Sequence, residues 1–91
     1  MSEYPYEDRI NSNDIVNCKY VFSADGESIG KVEAAIGDSF IVREEKGDTE
    51  IKYDIPRLEI ERIIDDTITL KLKEPEIREK YQTSSIKKNW E

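Results

Sequence analysis

The residues with chemical potential in this 91-residue chain are a single cysteine and several adjacent acids, and no histidine accompanies them. Without histidine, the usual base near neutral pH is missing, and so are histidine-dependent triads and zinc sites. Cys18 has no evident basic partner in the sequence, so we interpret it as a small buried or half-buried thiol. We therefore predict no catalytic residue and no enzyme activity.

The adjacent acids are interpreted as parts of strands and turns. Neighbours on a strand point to opposite faces, so Glu44-Glu45 does not form a catalytic dyad through adjacency alone. Asp65-Asp66 is typical of a turn. Asp25-Gly26-Glu27 lacks the preceding acids of an EF-hand loop, and Gly30 is followed by neither the Lys-Ser/Thr pair nor the helix of a phosphate loop. We predict no metal site and no cofactor site.

The composition indicates a small domain with a thin core. Hydrophobic residues make up 36% of the chain and charged residues 38%, with a net charge of −7. No basic stripe is present to neutralise phosphates, so DNA binding and adsorption to anionic membranes are disfavoured. No apolar run approaches the roughly 18 residues of a membrane span. The N-terminus lacks the pattern of a signal peptide, and we expect a cytoplasmic protein.

Short alternating segments separated by turn residues predict an all-β body of six strands. The strands are expected at 19–23, 29–36, 39–45, 50–55, 60–64 and 67–72. The residues expected to shape the turns and corners are Asp25, Gly26, Gly30, Gly37, Pro56 and Asp66.

The chain after the sixth strand changes character. Pro75 near a helix start, with acids first and bases later, predicts a short helix over 74–81. Residues 1–14 and 82–91 show no periodicity, so we expect a flexible N-terminal arm and a flexible C-terminal tail.

Five short segments occur in an order that resembles a PRC-barrel domain. They are Asp25-Gly26-Glu27, Ile29-Gly30-Lys31-Val32, Ile55-Pro56, Asp65-Asp66 and Ile68-Thr69-Leu70. The resemblance covers residues 15–81 and implies a small six-stranded β-barrel. The family occurs in the photosynthetic reaction centre H subunit, in a ribosome maturation factor and in free-standing archaeal proteins, including components of cell division. It implies a non-enzymatic adaptor that docks on other proteins and supplies no catalytic residues.

Stray hydrophobic residues indicate where a partner would bind. Phe40-Ile41-Val42 is apolar on both faces of its strand, so one face is free for a partner or a second copy unless the helix or the arm covers it. Lone aromatic and aliphatic residues in polar termini are typical of interface anchors. The predicted partner contacts are Tyr4, Tyr6, Phe40, Ile41, Ile86 and Trp90.

Three functions remain open from the sequence. The first is an adaptor that joins a larger protein complex in cell division or another cytoplasmic assembly, with a homodimer as one form. The second is a factor associated with RNA or the ribosome, which rests on family analogy alone. The third is a regulator that binds a small ligand or a metal through its acidic surface.

Overall fold

The computed structural model describes residues 15–87, which include seven strands and an α-helix of eight residues. The strands are β1 (Tyr20–Phe22), β2 (Ser28–Ile36), β3 (Ser39–Lys46), β4 (Thr49–Pro56), β5 (Ile60–Ile64), β6 (Thr67–Leu70) and β7 (Gln82–Lys87). The helix α1 (Glu74–Tyr81) lies between β6 and β7, and a 3₁₀ turn (Arg57–Glu59) separates β4 from β5. Ile15 and Val16 are helical ahead of β1.

The strands form one open sheet in the order β5-β6-β1-β2-β3-β4-β7. The β1–β6 pair is parallel and the other pairs are antiparallel. The mostly β fold with a short C-terminal helix is confirmed. The closed six-stranded barrel is wrong, because β5 and β7 do not pair with each other and leave the sheet with two edges.

The additional strand, β7, lies in the segment expected to be a flexible tail. It runs antiparallel to β4, with Lys87 opposite Thr49 and Ser84 opposite Lys52. The Thr83 hydroxyl also donates to the Lys52 carbonyl oxygen at 3.2 Å. The free edge of β4 offers backbone N–H and C=O groups. A polar segment can pair with these groups even though its side chains do not alternate between apolar and polar. Residues 1–14 and 88–91, which complete the predicted arm and tail, lie outside the described residues.

The core lies against one face of the sheet and is covered by α1. Side chains alternate along each strand, so Phe40 and Val42 of β3 are buried on the inner face while Ile41 lies on the outer face. Ile77 of α1 is fully buried against this core. The buried hydrophobic residues are Ile15, Cys18, Val21, Ile29, Phe40, Val42, Ile51, Tyr53, Ile55, Ile60, Ile63, Ile68, Leu70 and Ile77.

The residues predicted to shape turns fall into two groups. Most lie at turns or strand ends: Asp25, Gly26, Gly37 and Asp66 are in the connections, and Pro56 ends β4. Gly30 instead lies inside β2, with φ 150°, where a Cβ would come within 2.4 Å of the Arg43 carbonyl oxygen. Only glycine fits this close approach of β2 to β3.

Within residues 15–87, no helix combines the length and apolar character needed to span a bilayer.

Candidate functional site

An apolar surface lies on the outer face of the sheet, where β2, β3 and β4 meet. Ala34 pairs with Ile41, and Ile36 pairs with Ser39, which in turn pairs with Pro56. These neighbours share one face because directly paired residues point to the same side of a sheet. We call Ala34, Ile36, Ile41 and Pro56 the outer patch.

The outer patch is most exposed to solvent at Ile36. The Ile36 side chain is 66% exposed, while Ile41, Ala34 and Pro56 are half-buried. Leu58, 54% exposed, follows in the 3₁₀ turn two residues beyond Pro56. Other exposed aliphatic residues lie elsewhere on the sheet, such as Ile64 on β5 and Ile86 on β7.

Of the two β3 residues predicted to contact a partner, only Ile41 lies on this surface. Phe40 pairs with Ala35 and Ile55 on the inner face and is fully buried. Its role is therefore to fill the core, which corrects its placement among the partner contacts. Alternation along β3 puts the two neighbours on opposite faces, and the sequence did not say which face was covered.

Two carboxylates accompany the outer patch. Asp54 lies directly opposite Ile41, and Asp38 lies in the turn between Ile36 and Ser39. Both side chains are exposed, and in the described part of the chain neither forms an ion pair. Basic residues also lie on this face, because Arg43 and Lys52 form the next same-face pair beyond Ile41 and Asp54.

The rest of this outer face is charged and internally paired. The Lys52 ammonium nitrogen lies 3.3 Å from a Glu33 carboxylate oxygen and 3.9 Å from a Glu50 carboxylate oxygen. These partly exposed pairs contribute little stability but satisfy their own charges. The unpaired acids are thus found beside the outer patch rather than along the whole face.

The remaining predicted contacts lie far from the outer patch or beyond the described residues. Ile86 of β7 pairs with Glu50 and is 57% exposed, at the opposite end of β4 from Pro56. Tyr4, Tyr6 and Trp90 lie outside the described residues.

A polar network that the sequence did not reveal joins α1 to the sheet. Arg78 donates from Nη1 to Glu44 Oε1 at 3.1 Å and from Nη2 to Glu44 Oε2 at 3.3 Å. It also donates from Nε to Glu74 Oε2 at 2.9 Å, and from Nη1 to the Tyr53 hydroxyl. The Tyr53 hydroxyl donates in turn to Glu44 Oε1 at 2.9 Å. Only the Glu74–Arg78 spacing of four was visible in sequence.

This hydrogen-bond network shifts the pKa of Tyr53 and of Arg78. Burial raises the pKa of the Tyr53 hydroxyl, and the neighbouring Glu44 carboxylate raises it further. Burial alone lowers the pKa of the Arg78 guanidinium, but hydrogen bonds to Glu44 and Glu74 outweigh it and raise the pKa. Both shifts are upward, so the Tyr53 hydroxyl keeps its proton and the Arg78 guanidinium stays protonated at neutral pH. This arrangement therefore attaches α1 and offers no poised acid or base.

A second set of contacts ties the first hairpin and the 3₁₀ turn to α1. Asp25 Oδ1 accepts from the Ser23 hydroxyl and, at 3.3 Å, from the Glu74 backbone nitrogen. The hydrogen bond from Ser23 is the main reason that the pKa of Asp25 is lowered. The Tyr81 hydroxyl donates to Glu59 Oε2 at 2.7 Å, which raises the pKa of Tyr81. Asp25 thus acts as a structural contact to the start of the helix.

A surface depression of about 460 Å³ lies over Gly30, between Tyr20 of β1 and Arg43 of β3. Its volume is within the roughly 300–1,000 Å³ typical of small-ligand sites. Lys31 and Glu45 also line it, so its charges are mixed. Among residues 15–87, no group of three or more His, Cys, Asp or Glu side chains is placed to hold a metal ion.

No protein-family model, curated protein or solved structure matches this chain. The geometry of the described residues is therefore the basis for assigning a function.

Proposed function

We propose that this chain is a non-enzymatic protein-interaction module that assembles with a larger protein complex. The observation that carries the proposal is the outer patch, where Ile36 is 66% exposed beside the half-buried Ile41. Clustered exposed aliphatic side chains on a small protein are typical of an interaction site. Full burial of one such side chain is favourable by about 1.5–3 kcal/mol. A partner that covers the outer patch would therefore gain binding free energy from burying it.

The proposed module is of the PRC-barrel type and acts in cell division or another cytoplasmic assembly. The support for this relation is the order of the five sequence segments from Asp25-Gly26-Glu27 to Ile68-Thr69-Leu70. The open sheet and the additional strand β7 depart from the barrel of that family. The family implies an adaptor role for this chain and no role for any single residue.

Affinity capture from native lysate tests the proposal with a matched pair of variants. Ile36→Asp places a charge in the outer patch, and Ile64→Asp places one at another exposed aliphatic position, 45% exposed on β5. We expect Ile36→Asp to lose a defined protein partner that the wild type and Ile64→Asp retain. Both variants should unfold at the wild-type temperature, because neither side chain is in the core.

Equal capture by the wild type and Ile36→Asp would contradict the assignment of the outer patch. Loss of the partner in both folded variants would show that a new charge anywhere on the sheet prevents partner binding. That result would also contradict the assignment of the outer patch.

A small-ligand regulator is the second candidate, and the depression over Gly30 favours it. A thermal-shift screen with calcium, magnesium and nucleotides tests it, because a ligand at about 100 times its Kd adds roughly 2.7 kcal/mol of stability. Absence of any shift would contradict this candidate. The net charge of −7 weighs against an RNA-associated role.

A further inference from the structure

We propose that the depression over Gly30 binds an α-amino acid in its zwitterionic form, with a large apolar side chain packed against Tyr20. This inference rests on the second candidate function, the small-ligand regulator, and names the chemical class of its ligand. The outer patch takes no part in it.

The depression lies where β2 and β3 separate. The two strands pair as far as Lys31 and Arg43, and beyond that point Gly30 of β2 is opposite Val21 of β1. Strand β3 continues beside β4 to Lys46. Gly30 lines the resulting gap and contributes no side chain to fill it. The gap therefore persists as a concave surface of about 460 Å³.

Two cations line the depression side by side. Lys31 is directly opposite Arg43, and both residues are exposed. Like charges at directly opposite positions repel each other. The next cation along this row, Lys52, is paired with Glu33 and Glu50, whereas Lys31 forms no ion pair within residues 15–87. A carboxylate bound between Lys31 and Arg43 relieves their repulsion and accepts charge-assisted hydrogen bonds from both.

The acids that line the depression are Glu44 and Glu45, and they differ in their contacts. Glu44 is held by Arg78 and Tyr53 beneath α1. Glu45 lies two residues from Arg43 on the same face of β3, about 7 Å along the strand. Its Oε2 is 4.0 Å from Arg43 Nε, and both side chains are half-exposed. Such a pair contributes little stability, so a ligand can separate it at low cost.

A zwitterion matches these charges better than an ion of either sign. A simple anion beside Lys31 would meet Glu45, and a simple cation beside Glu45 would meet Arg43. An amino acid carries a carboxylate and an ammonium on one carbon atom. The carboxylate can therefore bind Lys31 and Arg43 while the ammonium binds Glu45. Its net charge of zero also avoids the repulsion between an anion and a chain of net charge −7.

Tyr20 offers a surface for the side chain of the ligand. This residue is 45% exposed and lines the depression on the β1 side. Aromatic rings stabilise apolar and aromatic groups through burial and through ring contacts. The volume of the depression is within the range of small-ligand sites and leaves room for a large side chain. L-phenylalanine is therefore the first probe.

Isothermal titration calorimetry on the full chain tests the inference with L-phenylalanine and three analogues. The analogue 3-phenylpropanoate lacks the ammonium, L-phenylalaninamide lacks the carboxylate, and glycine lacks the side chain. We expect saturable binding of L-phenylalanine, and a Kd about tenfold or more higher for each analogue, because each loses one of the three contacts. Equal affinity for 3-phenylpropanoate would overturn the inference. Absence of binding by L-phenylalanine, L-tryptophan and L-leucine would overturn it as well.

Variants of the lining residues show whether binding occurs in the depression. Lys31→Met and Glu45→Gln should each raise the Kd for L-phenylalanine about tenfold, and Lys31→Arg should retain the wild-type affinity. The matched controls are Lys80→Met and Glu79→Gln, which change exposed residues on α1 and should leave the Kd unchanged. Thermal unfolding without ligand checks that each variant is folded. Unchanged affinity in folded Lys31→Met and Glu45→Gln would overturn the inference.

Failure of this inference is distinguishable from failure of the functions it rests beside. A thermal shift with a nucleotide or a cation, without amino acid binding, would overturn it and still support the small-ligand regulator. Ile36→Asp should bind L-phenylalanine as the wild type does, because Ile36 does not line the depression.

Discussion

Arg78 of α1 donates hydrogen bonds to both carboxylate oxygens of Glu44 on β3, at 3.1 and 3.3 Å, across 34 positions of sequence. Its guanidinium carbon also lies 5.8 Å from the centre of the Tyr53 ring. These contacts, with the fully buried Ile77, hold the helix against the sheet. Since β7 follows α1 directly, they also position the strand that ends at Lys87.

Arg78→Met should destabilise the fold by about 2 kcal/mol, because it leaves Glu44 without hydrogen bonds from a charged donor in a partly buried setting. Urea denaturation measures the loss. The matched control is Arg62→Met, which removes an exposed pair with Glu61 and should cost no more than about 1 kcal/mol. Equal losses in the two variants would show that the Glu44–Arg78 pair contributes nothing beyond a surface contact.

Stability should fall as the pH rises above about 10, the ordinary pKa of tyrosine. The pKa of Tyr53 is raised in the fold, so above that pH the unfolded chain loses a proton that the folded chain retains. The contribution of Tyr53 to the free energy of unfolding is fully present below pH 10. It declines by up to about 1.4 kcal/mol per pH unit above that pH. Urea denaturation of the wild type and Tyr53→Phe across pH 8–11 measures it.

The comparison with Tyr53→Phe removes the contribution of lysine titration, which both proteins share. The phenylalanine variant should show the shallower decline above pH 10. Parallel curves for the two proteins would mean that Tyr53 titrates alike in both states.

Gly30→Ala should destabilise the protein by about 3 kcal/mol or more, because its Cβ meets the Arg43 carbonyl oxygen at 2.4 Å within the sheet. Gly47→Ala is the control: this glycine has φ 59° and open space around its Cβ position. It should cost about 1–2 kcal/mol from the left-handed conformation alone. Thermal unfolding of both variants separates the steric cost of the Cβ at Gly30 from the cost of a left-handed backbone. A smaller destabilisation at Gly30 than at Gly47 would contradict the close approach of Gly30 to the Arg43 carbonyl oxygen.

Cys18 should react slowly with a thiol reagent in the native protein, because its side chain is buried in the core. Labelling with Ellman's reagent in buffer and in denaturing urea measures the difference, and one thiol should appear rapidly only in urea. Rapid native labelling of Cys18 would show that the first turn before β1 opens readily.

Local pattern was enough to predict much of the fold. Alternation in β4, with Ile51, Tyr53 and Ile55 on one face, placed that strand within a residue or two of its observed ends. Pro75 with the flanking acids likewise predicted α1. These elements follow from side-chain periodicity and from the helix start, which are properties of neighbours in sequence.

What the sequence by itself determined is therefore the set of strands from β1 to β6, the helix and an acidic chain without histidine. Only the tertiary structure decided that β7 joins the edge of β4, that the sheet stays open, and that Phe40 is buried while Ile41 faces outward. The strand β7 carries no apolar alternation, and its backbone pairs because β4 offers a free edge. The outer patch and the Glu44–Arg78 pair likewise arise from contacts between distant segments, which local periodicity does not encode.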